Sequence, residues 1–149
     1  MPPTSVASTG RNHGLRSTTL KALLRGALRS LGFPRASVSL VLTDDARIRI
    51  LNRDFLEIDR PTDVLSFPLT EPEDREDRGR DLFLGEIYIS VETARAQART
   101  ARRPLEREVA HLLVHGVLHL IGYDHATPPE RRRMRAAESR LLRELSPML

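Results

Sequence analysis

The hydrophobic positions of the chain fall into segments with either a helical or a strand period. Between Ser17 and Gly32, leucine and alanine recur every three or four residues, which places them on one face of a helix. Gly32 is suited to end this helix, because glycine readily takes the conformation found just beyond a helix C-terminus. Residues 1–16 are rich in Pro, Ser, Thr and Gly and have no hydrophobic period. We therefore predict a disordered N-terminal tail over 1–16 and one folded domain over 17–149.

Three later segments are typical of strands. Residues 37–43 and 84–91 are rich in apolar and β-branched side chains that alternate in part with polar ones. Residues 64–68 form a short β-rich run closed by Pro68, which favours an edge strand because proline cannot donate to a sheet. The charged run 71–81 is predicted to be an exposed loop, so that the strands on either side of it form a hairpin-like pair.

Four further segments have the helical period, which with the first gives about five helices. The first of these four begins after a cap at Asp44 or Asp45, and the others span 92–103, 105–121 and 129–145. The second helix carries Ile48, Leu51 and Phe55 on one face. The last helix is predicted to bury Met134, Ala137, Leu141 and Leu145. Helices and short strands are interleaved, but the hairpin-like pair argues against a strictly alternating doubly wound fold, so the predicted class is α+β.

The composition excludes several kinds of metal site and of location. The chain has 149 residues and no cysteine, so a disulfide and a thiolate ligand are excluded, and a metal site must use His, Asp or Glu. No apolar run approaches the roughly 18 to 20 residues that span a bilayer, and the N-terminus lacks the apolar core of a signal peptide. We therefore expect a cytoplasmic protein with no membrane partner.

The charge of the chain suggests anionic partners. The formal net charge is +4 and the sequence pI is about 10.5. Lys21 is the only lysine, so the positive charge is nearly all arginine, whose planar guanidinium suits bidentate contact with phosphate. A codon bias toward arginine explains the same composition, and only clustering of the arginines in the fold separates the two interpretations.

Three histidines have the spacing of a metal site. His115 and His119 are four residues apart on a predicted helix, so their imidazoles project from one face, one turn apart. Gly122 can take the positive φ that ends a helix, and the chain can then turn back so that His125 completes the site. Three neutral imidazoles with one open position are typical of a catalytic zinc, which lowers the pKa of its bound water to about 7. We predict one zinc ion per chain.

The same spacing occurs in metzincin proteases, in which a glutamate follows the first histidine as the general base. Here that position is Gly116, so peptide hydrolysis by that route lacks its proton acceptor. His111 lies one turn before His115. It could line the mouth of the cleft or contact an RNA phosphate, or be a histidine of the helix surface with no role at the metal.

Residues 115–125 read His-Gly-Val-Leu-His-Leu-Ile-Gly-Tyr-Asp-His, which resembles the signature of the YbeY family. The resemblance continues upstream in residues 51–52, 59–68 and 84–87. It implies a mixed four-stranded sheet flanked by helices, and a zinc-dependent endoribonuclease for single-stranded RNA that acts in 16S rRNA 3′-end maturation and ribosome quality control. It also implies rRNA and the small ribosomal subunit as partners, with a ribosome-assembly GTPase as a further candidate.

One departure from the family pattern concerns a catalytic cation. Members of the family commonly carry an arginine shortly before the Asp-x-Pro-Thr stretch, whereas this chain has Leu56 there. Either Arg53 or Arg60 then supplies the cation that contacts RNA, or the charge of the transition state is stabilised less strongly in this chain.

Two carboxylates are candidates for the remaining chemistry. Glu86 and Asp124 could accept a proton or anchor a ligating imidazole. Glu86 could equally be an exposed strand end, and Asp124 a side chain that stabilises a turn. An RNA-facing surface could be formed by arginines of the last three helices, although any one of them could equally belong to a solvated helix face: Arg95, Arg99, Arg102, Arg103, Arg107, Arg131, Arg132, Arg133 and Arg135.

Two other functions stay open on the sequence. In the first, zinc only stabilises the fold, and the chain is a ribosome-assembly factor whose arginines dock on rRNA without cleaving it. In the second, the chain is another zinc hydrolase, such as a protease, although Gly116 argues against this.

Overall fold

A mixed four-stranded sheet lies at the centre of the computed structural model, which describes residues 2–9 and 13–149. Its strands are β1 (Ser5–Ser8), β2 (Ala36–Thr43), β3 (Val64–Pro68) and β4 (Leu82–Ser90). They lie in the order β1-β2-β4-β3. β2 pairs in parallel with β1 and β4, whereas β3 and β4 are antiparallel. The predicted α+β class, the four-stranded mixed sheet and the position of β3 at an edge are confirmed.

Five α-helices accompany the sheet within the described residues. They are α1 (Ser17–Ser30), α2 (Asp45–Leu56), α3 (Val91–Ala101), α4 (Leu105–Leu120) and α5 (Pro128–Leu145). Side chains satisfy free N–H groups at three helix starts, because Asp44, Ser90 and Thr127 accept from the backbone of the first turn of α2, α3 and α5. Over residues 2–9 and 13–149, no helix has the length and apolar character needed to cross a membrane.

Strand β1 corrects the prediction that residues 1–16 are a disordered tail. Val6 lies opposite Leu40 in the parallel pair with β2, and its side chain packs against the core. The Thr9 N–H donates to the Leu42 carbonyl at 2.9 Å just beyond the strand. The edge of β2 offers free N–H and C=O groups, so a segment with few apolar residues is held there by its backbone. Residues 1 and 10–12 of the predicted tail lie outside the described residues.

Helices α1 and α4 cover one face of the sheet, and α5 packs on these two helices to complete the main core. α4 is the central helix, since it contacts α1, α3, α5, β3 and β4. It approaches the sheet closely at Gly116, where an added Cβ would lie 2.8 Å from Cγ2 of Ile87. The four positions that α5 was predicted to bury are all buried. The end of α4 is therefore held rigidly against β3 and β4.

Helix α2 lies on the opposite face of the sheet. Ile48 is fully buried there, whereas Phe55, predicted to share its face, is 66% exposed. The Phe55 ring contacts Phe67 of β3 edge-on with a centroid separation of 5.4 Å. Because β3 is an edge strand, no further strand covers this contact. The hydrophobic face of α2 thus extends past the buried part of the sheet.

Candidate metal centre

The three predicted metal ligands come together where α4 ends. His115 and His119 occupy the last turns of α4, and His125 lies in the loop that follows. Gly122 has a φ of 102°, the positive value expected for the residue that turns the chain. The Tyr123 N–H donates to the Leu118 carbonyl at 3.0 Å, which closes the helix end. The loop therefore returns toward the helix face that carries the first two histidines.

The geometry of the cluster suits one metal ion. Each histidine offers a ring nitrogen, and these three atoms lie within 4.8 Å of one another. Nε2 of His115 and Nε2 of His119 are 3.1 Å apart. Two nitrogens bound to one tetrahedral zinc at 2.0 to 2.1 Å lie about 3.3 Å apart, so small side-chain rotations suffice for coordination. Three imidazoles also leave a fourth position for water or substrate.

The protonation state of His119 favours metal binding as well. Burial lowers the pKa of His119 below its usual value, and the nearby His115 and His125 lower it further. His119 is therefore neutral at pH 7, which is the form that binds a metal ion.

Glu138 of α5 supplies a carboxylate behind the cluster that sequence reasoning missed. Its Oε1 lies 2.8 Å from Nδ1 of His115, and its Oε2 lies 3.1 Å from Nε2 of His111. Burial alone would raise the pKa of Glu138, but hydrogen bonds from the two histidines and their charge lower it to about 2. One signal was available, because Glu138 is one turn after Met134 and thus on the face that α5 buries.

Two clefts of about 350 Å³ each meet at His115 and His125. The first, called here the β3 cleft, runs along β3 and is lined by Leu56, Thr62, Asp63, Val64, Leu65, Ser66, Pro68, His115, His119 and His125. The second, called here the α5 cleft, lies between α4 and α5 and is lined by Asp63, Val64, His111, Leu112, His115, His125, Arg131, Met134, Arg135 and Glu138. A ligand that is longer than one residue can therefore extend to both sides of the histidines.

Asp63 is a second carboxylate that the sequence analysis did not single out, and it lines both clefts. Its Oδ1 accepts from the backbone N–H of Val64 at 2.7 Å, and its Oδ2 accepts from Nε2 of Gln97 at 3.2 Å. These contacts fix the carboxylate at the point where the clefts join.

The structure does not bring Glu86, a candidate proton acceptor or anchor, to the histidines. Glu86 lies opposite Phe67 in the β3–β4 pair and accepts from the Tyr88 hydroxyl at 3.0 Å. Its neighbour Ile87 instead faces α4 at Gly116. Successive side chains of a strand point to opposite faces, so Glu86 lies on the side of the sheet away from the metal centre. Sequence reasoning lacked the pairing that decides this side.

Asp124 lies at the cluster, in the loop that carries the third ligand. Its Oδ1 accepts from the backbone N–H of His125 at 2.7 Å and lies 3.9 Å from the His125 ring nitrogen Nδ1. The hydrogen bond stabilises the turn that presents His125. A role of Asp124 in proton transfer stays a prediction.

The three residues predicted to contact RNA are placed differently. Arg53 pairs with Asp54 at 3.0 Å on exposed α2, and Arg60 is exposed without an ion pair among the described residues. Neither arginine lines the two clefts. His111 does line the α5 cleft, where it contacts Glu138 and Arg103. Leu56 is half exposed in the wall of the β3 cleft, so this chain presents an apolar side chain there.

Comparison with known proteins identifies the family. A family model described as Endoribonuclease YbeY matches residues 9–146. The chain belongs to the YbeY family. The endoribonuclease YbeY of Heliobacterium modesticaldum is 47% identical over 132 residues, which cover 83% of this chain and 80% of the relative. That of Desulfitobacterium hafniense is 50% identical over 115 residues, which cover 74% and 72%. The resemblance found in residues 115–125 is thus confirmed.

A solved structure supports the same fold. The solution structure of a Thermotoga maritima protein superposes with a TM-score of 0.64 at 29% sequence identity. The match covers 94% of this chain and 88% of that one. The arrangement of sheet and helices that brings the histidines together is therefore shared with an experimental structure.

Proposed function

We propose that this chain is a zinc-dependent endoribonuclease for single-stranded RNA, acting in 16S rRNA 3′-end maturation and ribosome quality control. The observation that carries the proposal is the junction of two clefts at three imidazoles whose nitrogens lie within 4.8 Å of one another. The relatives of the chain are named endoribonucleases, which supports RNA as the substrate. The donor set supports zinc, because three imidazoles without thiolates are typical of zinc hydrolases.

Different residues of the two clefts hold the metal, accept a proton and bind the phosphates of the RNA. Bound to His115, His119 and His125, zinc would supply a Lewis acid and lower the pKa of water in its open position. Asp63, fixed where the clefts meet, is placed to accept a proton or hold the attacking water. The α5 cleft holds arginine side chains that can bind phosphates beside the scissile one. Leu56 and Val64 give the β3 cleft an apolar wall.

The cation that the family pattern places near Leu56 is supplied, in this proposal, from the α5 cleft. Arg135 lines this cleft and forms no ion pair or hydrogen bond with other described residues. Arg131 lines it as well and donates to the His125 carbonyl at 3.4 Å. A free guanidinium in the cleft that His115 and His125 also line can bind a phosphate oxygen and stabilise its developing charge. Arg53 and Arg60, which lie outside both clefts, are less suited to this role.

We expect Arg135→Ala to weaken binding of single-stranded RNA by about five- to tenfold at 0.1 M salt, because one phosphate contact is lost. The slope of log Kd against log salt should fall by about 0.7, the value for one phosphate of a single strand. Binding is measured by fluorescence anisotropy on zinc-free protein, so that no cleavage occurs. Arg132→Ala is the matched control, since Arg132 is exposed on the same helix and lines neither cleft. Equal slopes for the two variants would contradict the proposed RNA path.

Chelation tests whether the metal is catalytic. We expect removal of zinc to abolish cleavage of a labelled 16S rRNA 3′-end fragment, free or within the small ribosomal subunit, and added zinc to restore it. The circular dichroism spectrum and RNA binding should persist, because the core of the fold is formed without the three histidines. Cleavage by the fully chelated protein would refute the proposal. Unfolding on chelation would instead favour the assembly factor whose zinc only stabilises the fold.

The remaining parts of the proposal concern partners and location. We propose that the chain acts in the cytoplasm on rRNA of the small ribosomal subunit, together with a ribosome-assembly GTPase. Family membership and the net charge of +4 support an RNA partner. The chelation assay uses the 16S rRNA fragment both free and within the small ribosomal subunit. Comparing cleavage of the two shows which is the better substrate. Equal cleavage of unrelated RNA would argue against a ribosomal role.

A further inference from the structure

Glu138 lies between His115, a proposed metal ligand, and a second histidine, His111. Further side-chain contacts lead from His111 to the first turn of α4. We propose that Glu138 is the positioning residue for His115, and that His111, Arg103 and Glu108 hold Glu138 in place. This inference rests on the proposed metal centre. It extends the site to a helix that contributes no ligand of its own.

The first step concerns which nitrogen of His115 faces the metal. The Glu138 carboxylate can only accept hydrogen bonds, so Nδ1 of His115, at 2.8 Å, must donate its proton to Oε1. In neutral His115 the lone pair is then on Nε2. That atom lies 3.1 Å from Nε2 of His119, on the side of the cluster where the ligand atoms converge. Glu138 thus fixes the tautomer and the ring orientation that metal binding needs.

The second step concerns how Glu138 is held. Its other oxygen, Oε2, lies 3.1 Å from Nε2 of His111, and Nδ1 of His111 lies 3.2 Å from Nη2 of Arg103. A guanidinium only donates, so in neutral His111 Nδ1 accepts from Arg103 and Nε2 donates to Glu138. Each hydrogen bond in this series therefore has one donor and one acceptor. His111 therefore connects Arg103 to the Glu138 carboxylate and holds that carboxylate in one orientation.

The third step is the buried anchor at the far end. Nε of Arg103 donates to Oε2 of Glu108 at 2.8 Å, and the Glu108 side chain is only 5% exposed. Arg103 reaches this position because Arg102 ends α3 with a φ of 55° and reverses the chain. A buried carboxylate that is paired in this way loses its partner only at high cost, so Glu108 holds the Arg103 guanidinium in place. The metal centre is thereby linked to α5 and to the turn between α3 and α4.

Zinc affinity is the measurement that tests this inference. Glu138→Gln keeps the shape of the side chain but removes its charge and one acceptor, so the affinity for zinc should fall about 10- to 100-fold. Zinc Kd is measured by competition with a chromophoric chelator. Glu144→Gln is the matched control, because Glu144 is on the same helix and bonds to Ser30 instead of a histidine. Its zinc Kd should equal that of the original protein.

A second variant and a second measurement separate positioning from mere stability. His111→Ala removes the group that holds Oε2 of Glu138 and should weaken zinc binding by about threefold to tenfold. Urea unfolding of the zinc-free proteins shows any loss of stability on its own. A less stable Glu138→Gln protein with unchanged zinc Kd would overturn the inference. Should Glu138→Gln fail to fold, an unchanged zinc Kd in His111→Ala would overturn it equally.

Failure of this inference is distinguishable from failure of the proposed function. If the original protein binds no zinc, the metal centre is refuted and the role of Glu138 is refuted with it. If the original protein and Glu138→Gln bind zinc with the same Kd, only the positioning role is refuted. Weaker binding by Glu138→Gln together with normal binding by Glu144→Gln supports it.

Discussion

Replacing His119 by alanine is expected to lower the affinity for zinc by at least about a hundredfold and to abolish zinc-dependent RNA cleavage. Structural zinc sites with four ligands bind with about 12 kcal/mol, so one ligand contributes about 3 kcal/mol. Only His115 and His125 would remain, and two imidazoles leave the ion largely to solvent. The helix itself should persist, because alanine has the highest helix propensity.

Zinc content after dialysis and single-turnover cleavage of a labelled RNA measure this prediction. His13→Ala is a suitable control, because His13 contacts Ser8 and Leu15 near the N-terminus and is no part of the cluster. The control should retain one zinc per chain. Full zinc occupancy in His119→Ala would refute the three-histidine centre, and cleavage by a zinc-free variant would refute its catalytic role.

The cluster of three histidines was predictable from the sequence because its geometry is local. The helical period places His115 and His119 one turn apart, and a single positive φ at Gly122 returns the chain to them. These relations need no knowledge of what the helix packs against. The same holds for the buried face of α5, whose period marks its core positions.

The residues that surround the ligands were not predictable, because they depend on packing between distant segments. Glu138 reaches His115 only through the docking of α5 on α4. The side of the sheet on which Glu86 lies was not predictable, because the face of a strand residue is set by pairing, which the sequence of one strand does not contain. Strand β1 was missed for a related reason, since its partner edge on β2 supplies the hydrogen bonds that order it.

Gly116 can be interpreted both from the sequence, where it excludes the metzincin general base, and from the fold, where it allows close packing. In the sequence it stands where metzincins carry their general base. In the fold it lets α4 approach β4, since an added Cβ would lie 2.8, 3.1 and 3.2 Å from three carbons of the Ile87 side chain. Ile87 is fully buried and cannot move aside without disturbing the core. The protease signature is therefore sterically incompatible with this helix and sheet.

We accordingly expect Gly116→Glu to lower the free energy of unfolding by about 3 kcal/mol or more, and to produce no casein hydrolysis. Overpacking contributes about 1 to 3 kcal/mol, and an unpaired buried carboxylate adds several more. At about 2 to 4 °C per kcal/mol for a chain of this size, the melting temperature should fall by at least about 6 °C.

Gly116→Ala isolates the steric part, which its helix propensity offsets by about 1 kcal/mol. Urea unfolding gives the free energy of unfolding of the zinc-free original protein, of Gly116→Glu and of Gly116→Ala. A Gly116→Glu protein as stable as the original would show that α4 can withdraw from Ile87, and casein turnover by it would revive the protease.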